Sequence, residues 1–150
     1  MAKAPMDTES LQAMVHAGEA PAYEALQLFK SKASRSNSRG DYAAAVRICV
    51  DACALYFSEG YVMAGHELTT TALEILQANI SQLDFESRSW INALDAAYEG
   101  HEEQRHVFLR ELVSWSKTVG DRYYGDASFH AKAGDCAWKL AKHTEALKHF

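Results

Sequence analysis

Residues 40–60 read Gly40-Asp41-Tyr42-Ala43-Ala44-Ala45-Val46-Arg47-Ile48-Cys49-Val50-Asp51-Ala52-Cys53-Ala54-Leu55-Tyr56-Phe57-Ser58-Glu59-Gly60. Tyr42, Ala45, Val46, Cys49, Cys53, Tyr56 and Phe57 fall at the i, i+3, i+4, i+7 spacing that gathers side chains on one face of an α-helix. Ile48, Val50 and Leu55 make a second side apolar, so this helix is expected to pack between neighbours on both sides. Asp41 has the side chain of an N-cap, which accepts the orphan N–H groups of a first helical turn. A glycine stands at each end, and glycine takes the left-handed backbone just past a helix end without steric penalty.

The same punctuation runs along the chain. Gly18, Gly40, Gly60, Gly100 and Gly120 are separated by 22, 20, 40 and 20 residues, and Asn79, the next-best residue for that conformation, fills the gap near position 80. Asp84 and Asp126 mark further helix starts. Apolar stripes recur at Phe85, Trp90, Ile91, Leu94, Ala97 and Tyr98, at Phe108, Leu112 and Trp115, and at Phe129, Ala133, Cys136, Ala137 and Leu140. These signals predict helices at 8–17, 21–38, 42–58, 62–79, 85–98, 102–118, 126–140 and from 143 onward, with Trp90, Trp115 and Trp138 pointing inward. No alternating strand pattern persists. Two helices per ~40 residues is the period of helical-hairpin solenoids. The expected fold class is all-α: an α-solenoid of stacked antiparallel hairpins, TPR-like, with about seven to eight helices.

The composition agrees. Of 150 residues, 48% are hydrophobic and only two are proline, Pro5 and Pro21, so no proline interrupts the helices after position 21. Fifteen Lys and Arg against twenty Asp and Glu give a net charge of −5, which leaves no global basic field for nucleic acid. Three cysteines are too few and too oddly placed for a disulfide framework. Neither a signal-peptide core nor a run of ~18 apolar residues is present. The expected setting is cytoplasmic. Residues 1–18 are expected to form a partly flexible segment with a short helix, and 19–150 the solenoid. Its last helix runs to Leu147-Lys148-His149-Phe150 without a polar cap, so the chain is expected to be a portion of a longer array, or to have that end covered by a partner.

Catalytic and metal chemistry find little support. His101 and His106 lie five apart, about 140° around a helix, where a zinc protease needs four; the bland reading is a solvated, Glu-rich first turn. His143 and His149 fail by the same geometry. Cys49 and Cys53 share a face but have no local partner, and Cys136 stands alone, so all three read as core. The glycines are isolated helix stops and cradle no phosphate. No catalysis, cofactor or metal is expected, and a hydrolase is the least supported reading.

Charge is more informative. Lys30, Lys32, Arg35 and Arg39 fall between Gln27 and Gly40 with no acid among them, and Lys32, Arg35 and Arg39 follow i, i+3, i+7. Arg47 extends the patch one helix later. Two readings stand: a solvated helix end complementing its dipole, or a patch that binds a partner. Residues 84–103 hold six acids against Arg88 alone, so a polarised molecule is expected.

Specific residues carry a resemblance. Tyr23-Glu24-Ala25-Leu26-Gln27, then Lys30-Ser31 and Arg35, is similar to a signature of the Golgi to ER traffic protein 4 family, where the run reads Tyr-Glu-Ala-His-Gln, then Arg-Thr, then Arg. The likeness continues in Tyr42-Ala43-Ala44-Ala45-Val46, Gly65-His66-Glu67-Leu68 with Leu73-Glu74, Trp115-Ser116, Gly125-Asp126 with Phe129-His130, and Glu145-Ala146 with Phe150. It spans about residues 18–150 in collinear order.

The resemblance implies a non-catalytic cytosolic scaffold in the guided entry of tail-anchored proteins. Its N-terminal helices would dock the homodimeric targeting ATPase, and a C-terminal half beyond this chain would hold a ubiquitin-like partner. Lys30 and Arg35 match basic family positions, and Glu67 an acidic one. Lys30, Lys32, Arg35, Arg39, Arg47 and Glu67 are thus the candidate partner-binding residues, with no nucleic acid and no membrane span. Leu26, Ser36 and Ala127 depart from the pattern, as does the lack of Lys or Arg between Ser10 and Ala17. A generic TPR-like peptide-binding module, with Asn79, Asn92 and Lys139 as anchors, is the alternative.

Overall fold

The computed structural model describes residues 7–119 and 124–149. The expected helix stop at Gly120 and the terminal Phe150 lie outside the described residues, as does the flexibility expected of residues 1–6. Eight helices and no strand occur among the described residues: α1 (Thr8–His16), α2 (Glu19–Ser38), α3 (Tyr42–Ser58), α4 (Val62–Asn79), α5 (Phe85–Ala97), α6 (Glu102–Val119), α7 (Ala127–Lys139) and α8 (His143–His149). α2 begins two residues earlier than expected. Pro21 falls in its first turn, where a missing N–H has no intrahelical partner to lose.

The caps follow the sequence. Asp41, Asp84 and Asp126 each accept backbone N–H groups of the turn they open. Asp84 completes a capping box with Ser87, and Asp7 caps α1 through Ser10. Gly40 and Gly60 adopt φ of 85° and 82° just past α2 and α3. Behind them the N–H groups of Asp41 and Tyr61 reach back to the carbonyls of Ser36 and Tyr56, closing Schellman motifs. Asn79 is a correction. It is the last helical residue of α4 and not left-handed, and its amide donates to the Ile75 carbonyl instead.

The chain forms two compact units, residues 1–79 and 80–150. In the first, consecutive helices pack, and α1 also touches α3 while α2 touches α4, as when one hairpin lies on another. Phe29 meets Tyr56 edge-on at 6.1 Å, and the Tyr56 hydroxyl donates to the Ala22 carbonyl at 2.6 Å, tying α3 to the first turn of α2. Cys49 and Cys53 are fully buried on α3. Their thiols are pushed up to about 12, chiefly by burial. Gly65 lets α4 approach α3 closely, because a β-carbon there would stand 2.9 Å from the Phe57 ring.

In the second unit α6 packs on α5, α7 on α6 and α8 on α7. Its core includes Trp90, Ile91, Leu94, Leu109, Leu112, Phe129 and Cys136, with Tyr98 stacked on Phe108 at 5.3 Å. Two expectations fail here. Phe85, expected on the buried stripe of α5, is 91% exposed; it lies five residues before Trp90, about 140° off that stripe. Trp138 is 53% exposed. The buried side of α7 is Phe129, Ala133, Cys136 and Ala137, and the indole lies past its rim, where it stacks on His143 at 4.2 Å. Trp90 and Trp115 are buried as expected. Among the described residues, no helix is long and apolar enough to cross a membrane.

Candidate functional site

The six candidate residues all lie in the first unit, but the structure divides them. Lys30 and Lys32 are two apart, so they leave α2 about 200° from each other. Lys30 turns toward α4, where its ammonium pairs with Glu67 at 2.6 Å. These two candidates therefore neutralise one another. Lys32 turns toward α1 and donates to the Thr8 hydroxyl at 3.4 Å. It also helps, behind the N–H and hydroxyl of Ser10, to hold the Asp7 carboxyl below its usual range.

Arg35 and Arg39 stand exposed at the C-terminal end of α2. Arg35 Nε donates weakly to the Ser31 carbonyl at 3.5 Å, and Arg39 is the C-cap residue. Arg47 is exposed on α3 and lines a cavity of about 220 Å³ together with Thr8, Asp51 and the buried ring of Phe29. Because Thr8 both borders that cavity and accepts from Lys32, the structure brings Lys32 and Arg47 to the same end of α1. Among the described residues no carboxylate pairs with Arg35, Arg39 or Arg47. The result is a basic surface along α2 and across to α3, with the Lys30–Glu67 pair on the other side of α2.

Two of the six acids in the tract of residues 84–103, Asp95 and Glu102, are paired inside the second unit. Asp95 is buried, and its carboxylate receives the Arg105 guanidinium in a fork, Nε to Oδ1 at 2.7 Å and Nη2 to Oδ2 at 3.2 Å. Lys132 adds a third contact at 3.5 Å, and Glu102 takes the remaining Arg105 arm at 3.2 Å. These side chains neutralise each other inside the second unit, so their charge is not offered to a partner. Sequence reading missed the network because Arg105 and Lys132 lie outside the acidic stretch and reach Asp95 only through folding.

His106 is a correction. It is 3% exposed, not solvated, with Nε2 3.2 Å from Glu145, yet neither ring nitrogen has a well-aligned hydrogen-bond partner among the described residues. Among those residues no group of three or more His, Cys, Asp or Glu is placed to hold a metal ion. Of the three anchors for a peptide-binding module, the Asn79 amide is engaged by Asn37 and by the Ile75 carbonyl, and Lys139 pairs with Asp135 within α7. Asn92 remains exposed.

Comparison with known proteins gives this arrangement its context. The family model described as Golgi to ER traffic protein 4 matches residues 39–150. This chain belongs to the Golgi to ER traffic protein 4 family. A Golgi to ER traffic protein 4 homolog of Oryzias latipes is 24% identical over 140 residues, covering 93% of this chain and 42% of the homolog. One from Takifugu rubripes aligns with the same identity and coverage. The crystal structure of C. therm. Get4 superposes with a TM-score of 0.82 at 26% identity, covering 94% of this chain and 45% of that one. The fold class is accordingly the α-helical solenoid of the family. The chain spans less than half the length of the relatives it matches.

Proposed function

We propose that this chain is a non-catalytic scaffold arm in the post-translational targeting of tail-anchored membrane proteins. It docks the homodimeric targeting ATPase through the basic surface of α2 and α3, in the cytoplasm. Family membership supplies the pathway. The observation that carries the docking surface is that Arg35, Arg39 and Arg47 stay exposed without a carboxylate partner among the described residues, in a chain of net charge −5. Lysines and arginines scattered over an acidic protein ordinarily find acids nearby. A run that does not is available to an acidic partner and steers its approach. A ubiquitin-like partner belongs to the longer relatives' remaining half.

The test is a titration of the ATPase dimer with wild-type protein and with the triple variant Lys32→Glu, Arg35→Glu, Arg39→Glu. The affinity is expected to fall about tenfold or more, and to fall with added salt for the wild type alone. The variant is expected to keep its helical circular dichroism, since all three side chains are at least partly solvated. Unchanged affinity would remove the basic surface from the model.

A further inference from the structure

A second charged concavity lies within the other unit. α6, α7 and α8 enclose a groove of about 550 Å³, lined by Arg110 and Lys117 from α6, His130 from α7, and Glu145, Lys148 and His149 from α8. Among the described lining residues, three permanent cations face one carboxylate. Glu145 is already engaged, 3.2 Å from buried His106 and 3.7 Å from Arg110. Lys117 and Lys148 have no ion-pair partner among the described residues. His130 and His149 meet through their Nδ1 atoms at 2.7 Å, so one ring donates to the other, while His130 Nε2 faces the Tyr124 carbonyl. Burial, then the neighbouring His130, holds the His149 imidazole below its usual range.

The spacing of the cations indicates the shape of what they would hold. Arg110 and Lys117 lie seven residues apart on one face of α6, a rise of about 10 Å along the helix axis. The oxygens of a single phosphoryl group are too compact to reach both. A peptide in the extended polyproline II conformation rises ~3.1 Å per residue with three residues per turn, so carboxylates three residues apart share a face and span about that interval. The Arg110 guanidinium already pairs with the Glu145 carboxylate at 3.7 Å, which shows the chemistry this wall takes. Donors dominate the rest of the described lining, and among the described residues Val113 is the one aliphatic side chain in it, so an apolar anchor has little to grip.

We propose that this groove binds an extended acidic segment of a partner protein, its carboxylates seated along Arg110, Lys117 and Lys148. Bound carboxylates would lie beside His149 on α8, whose imidazole burial and the neighbouring His130 hold below its usual range, and favour its charged form. Binding therefore takes up protons and tightens as pH falls from 7.5 to 6.

The experiment is a fluorescence-anisotropy titration with a labelled hexaglutamate peptide, with a hexaglutamine peptide as the uncharged control. Wild-type protein is expected to bind the first and not the second, about threefold more tightly at pH 6 than at pH 7.5. Lys117→Glu with Lys148→Glu, both at exposed positions, is expected to weaken binding about tenfold while leaving the melting temperature unchanged. Lys139→Glu with Lys142→Glu, the same change of charge at exposed positions outside the groove lining, is expected to leave it within about twofold. That control uses no residue of the candidate docking surface, so this result stays separate from any failure of ATPase docking by α2. No binding, equal binding of both peptides, or equal loss in the two double variants would overturn the proposal. So would an affinity indifferent to pH, or displacement by pyrophosphate at lower concentration than by unlabelled hexaglutamate.

Discussion

Ala141 turns the chain between α7 and α8 with a φ of 59°, the one left-handed residue among the described residues that is not glycine. Behind it the N–H of Lys142 bonds the Ala137 carbonyl and its own N–H bonds that of Trp138, so the geometry is the Schellman motif seen after α2 and α3. A β-carbon in this conformation costs about 1 kcal/mol. Ala141→Gly is therefore expected to raise stability by about 1 kcal/mol in urea melts, where the same change in the interior of α7 would lower it. The caps were readable from single letters, because Asp before an apolar run has one structural use. This turn was not readable, because alanine signals helix. Asp126 illustrates a second kind of information. Its cap was evident in the sequence, but its ion pair with Arg88 at 2.6 Å was not. The Arg88 guanidinium, then Ser128 and the Phe129 N–H, hold its carboxyl down to about 2, against partial burial. A carboxyl whose folded pKa lies below its unfolded one near 4 stabilises fully above pH 4 and loses that contribution as pH falls toward 2. Thermal melts are expected to show a loss of roughly 1–2 kcal/mol across that interval in wild type, and a smaller loss in Asp126→Asn.

At the scale of elements, helix positions followed from punctuation and period, while the distance between helices did not. α3 and α4 are the clearest case. Gly65 is the fourth residue of α4, where glycine has poorer helix propensity than alanine, and nothing in the local pattern accounts for it. The account lies across the interface, in the Phe57 ring that a β-carbon would meet at 2.9 Å. Gly65→Ala is expected to gain helix propensity yet lose about 1–3 kcal/mol overall by overpacking, read as a lower denaturation midpoint at unchanged slope. The misplacement of Phe85 and Trp138 has a related cause. Both were assigned inward for being aromatic, although neither lies on the stripe of its own helix. Polar burial was hidden as well. Asp95 and Arg105 pair across two helices at 12% or less side-chain exposure, and removing one alone would strand the other, a cost typically of 3–5 kcal/mol.

For the whole molecule, the count of charges was less informative than their partners. A net charge of −5 spread over two tracts suggested opposite poles. Folding pairs two acids of the tract, Asp95 and Glu102, internally and leaves the arginines of α2 and α3 solvated. The candidate docking residues were identified as a set from one helix. The split between the Lys30 side and the Lys32 side needed only the helical angle, but the Glu67 partner required the fold. The burial of the three thiols has a practical consequence. Cys49 and Cys53 lie in the first unit and Cys136 in the second, where burial likewise pushes its thiol up to about 12. Native protein should hence resist iodoacetamide at neutral pH, since alkylation needs a thiolate in contact with the reagent. Under partial denaturation each adduct records the opening of the unit that holds it, and peptide mass spectrometry reads the two clocks separately. Simultaneous modification of all three would mean that the halves melt as one; earlier capture of either set would name the weaker half without any added reporter.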